Sequence, residues 1–552
     1  MKRWDIKKTG EVNVYDVEQV IRHLLLMREI PEEEHPSFLK PRLALLNDPC
    51  RIPDMEKAVR RVDQALLEGQ SILIYSDYDV DGMTSSALMF LFLTRMGKEV
   101  QVFIPERLSE GYGLSQAGLD RAMEKGKPQL LIALDCGTTN VKEVAYLNEQ
   151  GVDVIIIDHH ELPEEQPEAF AFVNPQRSEH DKILATVGLV FKFCHAFLKL
   201  RGEPDLFDLK SCLDLVAVGT VADIVPLLED NRILVHHGLK QLARTPHIGL
   251  QELMTAAGIK RRPTPITIGF MIGPRLNASG RLAEALYGWE LLITQDRMRA
   301  AKLARQLDQL NRDRQQIEQQ AVYEAESIIS RKVGKKPKCV VVASRDWHQG
   351  VIGIVASRLQ KIWYCPIVVI SIDEEGKGKG SGRSIEGFSM MDGLRHCSEH
   401  LLGFGGHAMA AGLEIEAGKI DIFREDLENW MENHCAEDIF QETIHVEMEL
   451  PASTLKYELA AGVSSMEPFG RMNRSPVFVV RGVSSVGDER VFGKGHLSYR
   501  AVSEGSEFDA VAFNLANDLI HKKCYDIAGH WEIDDFSSRP CFRIIDYKDR
   551  TP

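Results

Sequence analysis

The chain has 552 residues, too many for one hydrophobic core, which stops growing near ~250–300 residues, so several domains are expected. An apolar share of 44% is ordinary for a globular protein, and the longest apolar runs, such as ALMFLFL, fall far short of the ~20 residues needed to span a membrane. The net charge of −15 excludes a surface coated in basic patches but leaves room for a cationic cleft, because a local field outweighs the total.

The opening MKRWDIKKTGEV lacks the apolar core of a signal peptide. The ten cysteines include no C-x-x-C pair, so neither a zinc ribbon nor a disulfide framework is expected, and the cytoplasm is the expected location. Cys136 reads as a buried thiol.

Residues 1–50 are set apart as an N-terminal extension containing the acidic, proline-flanked MREIPEEEHPSFLKP. From 51 to 288, short apolar runs (SILIY, VQVFI, LLIAL, VDVIIID, AFAFV) alternate with amphipathic stretches. That alternation predicts an α/β domain with a doubly wound parallel sheet. Residues 289–334 are polar, rich in Gln and Arg, with apolar residues at three- and four-residue spacing. They predict one long helix joining two lobes, or else a coiled-coil partner helix. A second, smaller α/β lobe is expected over 335–436, and six short strand-like runs over 440–552 predict a small β-barrel of OB type, a fold that binds single strands.

Two windows depart from the acidic average. Lys260, Arg261, Arg262, Arg275 and Arg281 fall between Leu253 and Ala283 without an acid, and GKGKGSGRSI (376–385) carries Lys377, Lys379 and Arg383. The second reads as a glycine-rich loop whose amides and arginine make an anion nest.

SDYDVDG opens like an EF-hand, with Asp77, Asp79, Asp81 and Gly82, but Leu88 stands where calcium needs its bidentate Glu. A strand precedes it and a helix-length run follows, so the aspartates sit at a strand's carboxyl end, where open α/β sheets bind ligands. Three more clusters take similar places: Asp135 after LLIAL, Asp158-His159-His160 after VIII, and Asp223 after LDLVAVGTVA. Singly, each has a dull explanation as a helix cap or a hydrogen-bonded histidine. Together on one sheet edge, such carboxylates would repel and protonate unless cations neutralise them. Carboxylates with imidazole and no thiolate suit Mn²⁺ or Mg²⁺, and two such ions form the usual clamp for hydrolysing a phosphate ester.

DYDVDG, LDCGTT, DHH and GTVADIVPL, in this order, resemble the four motifs of the DHH phosphoesterase superfamily, and GFGGHAMAAG resembles its DHHA1 domain. IPERLSEGYGL, GPRLNASGR and WHQGVIGIVASRL are similar to the bacterial single-stranded-DNA-specific exonucleases within it. The resemblance covers nearly the whole chain. It implies a metal centre of Asp77, Asp79, Asp81, Asp135, His159, His160 and Asp223, with Asp135 bridging. Asp77 could instead orient a ligand, Asp158 would orient a histidine, and His160 could face the phosphate. It also implies that Arg107, Tyr112, Arg275, Asn277 and Arg281 meet DNA from one lobe, and Arg383, Ser384 and His407 from the other. Trp347 could stack on a base or fill the core.

The implied activity is 5′→3′ degradation of single-stranded DNA to 5′-mononucleotides, in DNA repair and recombination. A monomer is implied, with a single-strand-binding protein and a helicase as partners. The alternatives are a phosphodiesterase acting on short oligonucleotides or cyclic dinucleotides, and a non-catalytic single-strand-binding subunit.

Overall fold

In the computed structural model, residues 2–7, 12–106, 110–111, 113–124, 126–332, 337–520, 523–534 and 537–550 are described. Strand β1 (Arg3–Ile6) is followed by helices and then by β2 (Ile72–Ser76), β3 (Gln101–Phe103), β4 (Leu130–Leu134), β5 (Asp153–Ile157) and β6 (Ala171–Val173). The last five form a wholly parallel sheet in the order β3-β2-β4-β5-β6. Alternate residues face opposite sides. Ile72, Ile74, Ile132 and Ile155 pack under helices Met55–Leu67, Val80–Arg95 and Thr186–Arg201. Leu73, Tyr75, Leu131 and Ile156 pack under Gln116–Met123 and Val141–Glu149. Both faces are therefore covered, as the run of apolar strands predicts.

The connecting helix runs over Arg297–Lys332, shorter than the 289–334 expected. Residues Leu286–Ile293 form a separate helix, and the Asp296 carboxylate accepts from the Met298 and Arg299 amides at 2.8 and 3.3 Å, capping the long helix where it starts. Its first half buries Ala300, Leu303, Ala304 and Leu307 in the first lobe, which carries the parallel sheet, and its second half buries Ala321, Val322, Ala325 and Ile329 in the second lobe.

The second lobe is a mixed sheet of β7 (Val340–Ser344), β8 (Ile367–Ile372), β9 (Lys377–Arg383), β10 (Leu401–His407) and β11 (Ala410–Glu416), in the order β10-β11-β9-β8-β7. The expected glycine-rich loop is in fact β9, at the middle of this sheet. Its amides belong to ladders with β8 and β11 and make no nest. The glycines are there for close packing. A Cβ on Gly378, Gly380 or Gly382 would come within 2.8 Å of Ile370, 2.7 Å of Leu413 or 2.9 Å of Met390.

Strands β12 (Thr443–Val446), β13 (Met448–Glu449), β14 (Phe478–Phe492), β15 (His496–Ser503), β16 (Ser506–Ala512), β17 (Tyr525–Ile533) and β18 (Pro540–Asp549) complete the chain. β14, β15, β16, β18 and β17 close into a barrel through the β14–β17 pairing. The N-terminal segment joins this body. β1 pairs in parallel with β12, and Val20, Leu24, Leu25 and Phe38 share the barrel's core with Phe478, Tyr525 and Phe542. Arg232, buried at the junction, donates to the carbonyls of Phe38, Met466 and Glu467 and so ties the first lobe to that body.

Candidate metal centre and cleft

Strand register builds the site. Ser76 lies opposite Leu134, Leu134 opposite Ile157 and Ile157 opposite Val173, so Asp77, Asp135 and Asp158 leave the sheet side by side. The Asp77, Asp135 and Asp158 amides extend the ladder by donating to Leu134, Ile157 and Val173. After β2 the chain turns at once into helix Val80–Arg95, capped by the Asp79 carboxylate, which accepts from the Asp81 and Gly82 amides at 2.9 and 3.1 Å. A Cβ on Gly82 would stand 2.4 Å from the Asp77 carbonyl oxygen, so this turn demands glycine for close approach, not for calcium.

Asp81 is buried, and its two carboxylate oxygens accept from the Thr186 and Val187 amides at 2.7 and 2.9 Å. These are the first amides of helix Thr186–Arg201, an N-terminus suited to negative charge. The Thr186 hydroxyl donates to Asp135 at 2.8 Å. Thr186 was not foreseen. A threonine before an apolar run reads as a helix cap, yet here its hydroxyl is spent on a carboxylate from another element.

Asp223, at the end of helix Leu213–Ala222, lies 3.4 Å from His159 Nε2, which is also 3.5 Å from Asp135. The donor atoms of Asp77, Asp79 and Asp135 lie within 4.8 Å of one another, as do those of Asp81, His159 and Asp223 and those of Asp135, His159 and His160. Every residue expected at the metal centre is thus brought together, in overlapping groups that share Asp135 and His159.

The electrostatics follow from burial. It pushes Asp81 up to about 7, with Asp79 adding to the shift, and Asp223 up to about 9, with Asp81 and Asp79 adding. Burial and the neighbouring aspartates raise Asp135 well above the usual carboxylate range. Burial also lowers His159 to about 4, helped by His160, so its ring is neutral. For His160 burial acts downward, but Asp158 outweighs it and the ring is raised to about 9. Asp158 accepts from His160 Nδ1 at 2.6 Å and from the Thr138 amide at 3.1 Å, and this pairing holds it below the usual range despite burial. Of the two histidine rings, it is that of His160 which Asp158 meets.

A cleft of about 880 Å³ separates the lobes, lined by Arg281 on one side and by Lys379, Ser381, Arg383 and the β10–β11 glycines on the other. Arg281 donates to the Gly350 carbonyl across the cleft at 2.9 Å. Arg383 donates to Ser357 at 3.0 Å and Ser381 at 2.9 Å. His407, at the tip of β10 and two-thirds exposed, stands 3.8 Å from Glu161, the residue after the two histidines. Lys379 was marked from the sequence as part of the basic window, whereas Ser381 was not. Their place follows from strand alternation, which turns 377, 379, 381 and 383 away from the glycine face.

Two expected contacts are placed elsewhere, and Trp347 takes the core alternative of its two readings. Arg275 is part-buried and tied to Asp308 of the long helix at 2.9 Å and to the Met271 carbonyl at 2.7 Å. Ser384 is buried, donating to the Phe388 carbonyl at 2.7 Å. Trp347 is a core residue that donates to Glu324 at 2.9 Å. Asn277 is half-buried on helix Gly273–Leu282, which passes over the metal loop where a Cβ on Gly280 would meet the Tyr78 carbonyl at 3.0 Å. Arg107 and Tyr112 lie outside the described residues.

The two lobes, the long helix and the acidic sheet edge define a DHH-type protein. Family models agree: the DHH family N-terminal domain matches residues 71–220, the DHHA1 domain 336–433 and the RecJ OB domain 446–545. The chain is 37% identical to the single-stranded-DNA-specific exonuclease RecJ of Haemophilus influenzae, over 91% of this chain and 92% of that one. It is 35% identical to that of Bacillus subtilis, over 97% of this chain and 69% of the relative. The chain belongs to the RecJ family of single-stranded-DNA-specific exonucleases. Among solved structures it resembles RecJ of Thermus thermophilus in complex with Mn²⁺, with a TM-score of 0.84 and 27% identity over 100% of this chain and 80% of that one. It also resembles an exonuclease RecJ bound to manganese, with a TM-score of 0.61 and 32% identity over 70% of this chain and 96% of that one.

Proposed function

We propose that this chain is a metal-dependent exonuclease that takes single-stranded DNA from its 5′ end and releases 5′-mononucleotides by a two-metal mechanism. The observation that carries the reading is the pair of donor groups, Asp77/Asp79/Asp135 and Asp81/His159/Asp223, meeting where His159 approaches Asp135 at 3.5 Å. Carboxylate oxygens and imidazole without thiolate fit hard divalent ions, and the raised pKa values of Asp81, Asp135 and Asp223 mark negative charge that a cation would relieve. Asp77, Asp79, Asp81, Asp135, His159 and Asp223 would hold two Mn²⁺ or Mg²⁺ ions, with Asp135 shared between them. Bound ions of this kind supply an acidified water and positive charge beside the phosphate oxygens.

The chain's own residues do the rest. Two backbone amides and the Thr186 hydroxyl aim Asp81 and Asp135. Neutral His159 keeps a lone pair for a ligand role. Asp158 holds His160 by Nδ1, leaving its cationic ring to donate to a phosphate oxygen. Across the cleft, Arg383 and Lys379 grip the backbone, since arginine reads phosphate in two places at once. Holding the 5′ end there while the next ester lies over the carboxylates would set direction and product size. A substrate that must enter unpaired also suits a cytoplasmic monomer working in repair and recombination, beside a helicase that separates strands and a single-strand-binding protein that keeps them apart.

The test uses one oligonucleotide labelled in turn at its 5′ and 3′ ends, with Mn²⁺, beside duplex DNA and a cyclic dinucleotide. Immediate release of the 5′ label as mononucleotide is expected, with both controls spared and Asp135→Ala inactive but folded. Loss of the 3′ label first would reject the direction. Normal turnover by Asp135→Ala would reject the site.

A further inference from the structure

Ile224 directly follows Asp223, and its backbone is left-handed, with φ +60°. A β-branched residue there is strained, and such strain persists where the surroundings impose it, typically at functional sites. Its side chain, 65% exposed, gains nothing from core packing. Met472 repeats the pattern with φ +60° and 61% exposure. Met472 lies on the loop leading into the barrel. That loop is fastened to the Asp223 segment by two bonds, Leu227 amide to Arg471 carbonyl at 2.9 Å and Arg471 Nη1 to Ile224 carbonyl at 3.3 Å. A third apolar group arrives on the π-helical turn Ile268–Ile272, where Phe270 is 73% exposed. Gly273, within one turn of Phe270, lies beside the residue before Asp223: a Cβ on it would stand at contact distance, 3.4 Å, from the Ala222 Cβ. π-turns too are enriched at functional sites.

We propose that Ile224, Met472 and Phe270 form an apolar rim that takes the nucleobases of the strand beside Asp223. The inference rests on single-stranded DNA being the substrate. Three segments from two parts of the molecule, each following Asp223 or packed or bonded against its segment, carry large exposed apolar residues. Nucleobases are the apolar component of a strand whose backbone is fully charged. Every base has a flat apolar face, so such a rim holds bases without reading them, as an exonuclease that must pass any sequence requires. It would also keep the bases off the carboxylates, leaving the phosphates to face them.

The experiment compares KM and kcat on two 5′-phosphorylated strands, one ordinary and one with abasic sugars in place of its leading nucleosides. On the ordinary strand, Ile224→Gly and Phe270→Ala should each raise KM about fivefold or more, with a much smaller change in kcat. The native chain should already show a raised KM on the abasic strand, where the two variants add nothing further. Both side chains are exposed, and glycine relieves the strain at 224, so these variants should fold. An unchanged KM on the ordinary strand would overturn the rim, as would the same increase on both strands. If the native, metal-loaded chain left both strands intact, the substrate reading itself would fall and the rim with it.

Discussion

In the parallel sheet, the polar residues leave at the ends of β2, β4 and β5, whereas in the second sheet they sit along the middle of β9. The first arrangement concentrates negative charge. Strand ends converge, helices start there, and aspartates crowd until burial and mutual repulsion lift their pKa values. The second spreads positive charge. Lys377, Lys379 and Arg383 are spaced along one strand face, with glycines beneath them so that the sheet can pack. A few ions need a compact, strongly polarised pocket, and a repeating phosphate backbone needs a row. The same chain supplies both by using strands in two ways, at their ends and along their faces.

That contrast can be broken from either side, and the largest effect should come from the acidic end. Asp81 and Asp223 have folded-state pKa values of about 7 and about 9, above their ordinary value of 3.8. Their protonated forms therefore favour the metal-free fold below pH 3.8, and that contribution is lost as pH rises through 7 and then 9. Without metal, the catalytic lobe's thermal midpoint should fall between pH 6 and pH 9 by on the order of 10 °C, and saturating Mg²⁺ should abolish the fall. A flat profile in chelator would mean that the carboxylates do not crowd as described.

Smaller effects belong to β9. Gly380→Val would push into Leu413, and overpacking of this kind costs about 1–3 kcal/mol. Denaturant unfolding should show that loss, with ion binding at the first lobe unchanged. Stability equal to the parent would argue that the glycines are not packing residues. Arg383→Ala should leave the midpoint alone and raise KM for DNA about tenfold, the order expected for one lost charge-assisted contact. An equal fall in kcat at constant KM would instead place Arg383 in the chemical step.

Much of the acidic half was legible in the sequence. Asp77, Asp135 and Asp158 each end an apolar run, and once those runs are parallel neighbours, register brings the aspartates into one row. Five of the six expected runs became the barrel strands, because turn residues separate their alternating patterns, whereas the first, IHVEMEL, divides into β12, which pairs with β1, and the short β13. The cationic half was harder. Glycine at every second position of 378–382 looks like a breaker, when it is a strand's inward face with its side chains removed. Arg275 and Ser384 were misplaced for a shared reason: their partners, Asp308 and the Phe388 carbonyl, come from tertiary packing that motif spacing does not carry. The break at 294–296 had a local sign, the Asp296 cap, obscured by the longer polar run around it.

The pairing of β1 with β12 bears on how the molecule is made. Asp5 meets His445 and Lys2 meets Glu442, each pair 440 residues apart. The early segment therefore leaves the ribosome long before its partner strand exists, while the catalytic lobe between them can gather its own sheet during synthesis. Val20, Leu24 and Leu25 must wait with their apolar faces uncovered until the barrel strands arrive. The barrel thus closes after the first lobe, and its closure gathers segments 440 residues apart in one step. A polypeptide truncated between the end of β6 and β14 would carry a complete parallel sheet and an unburied amino-terminal helix, a state for cellular quality control to meet first.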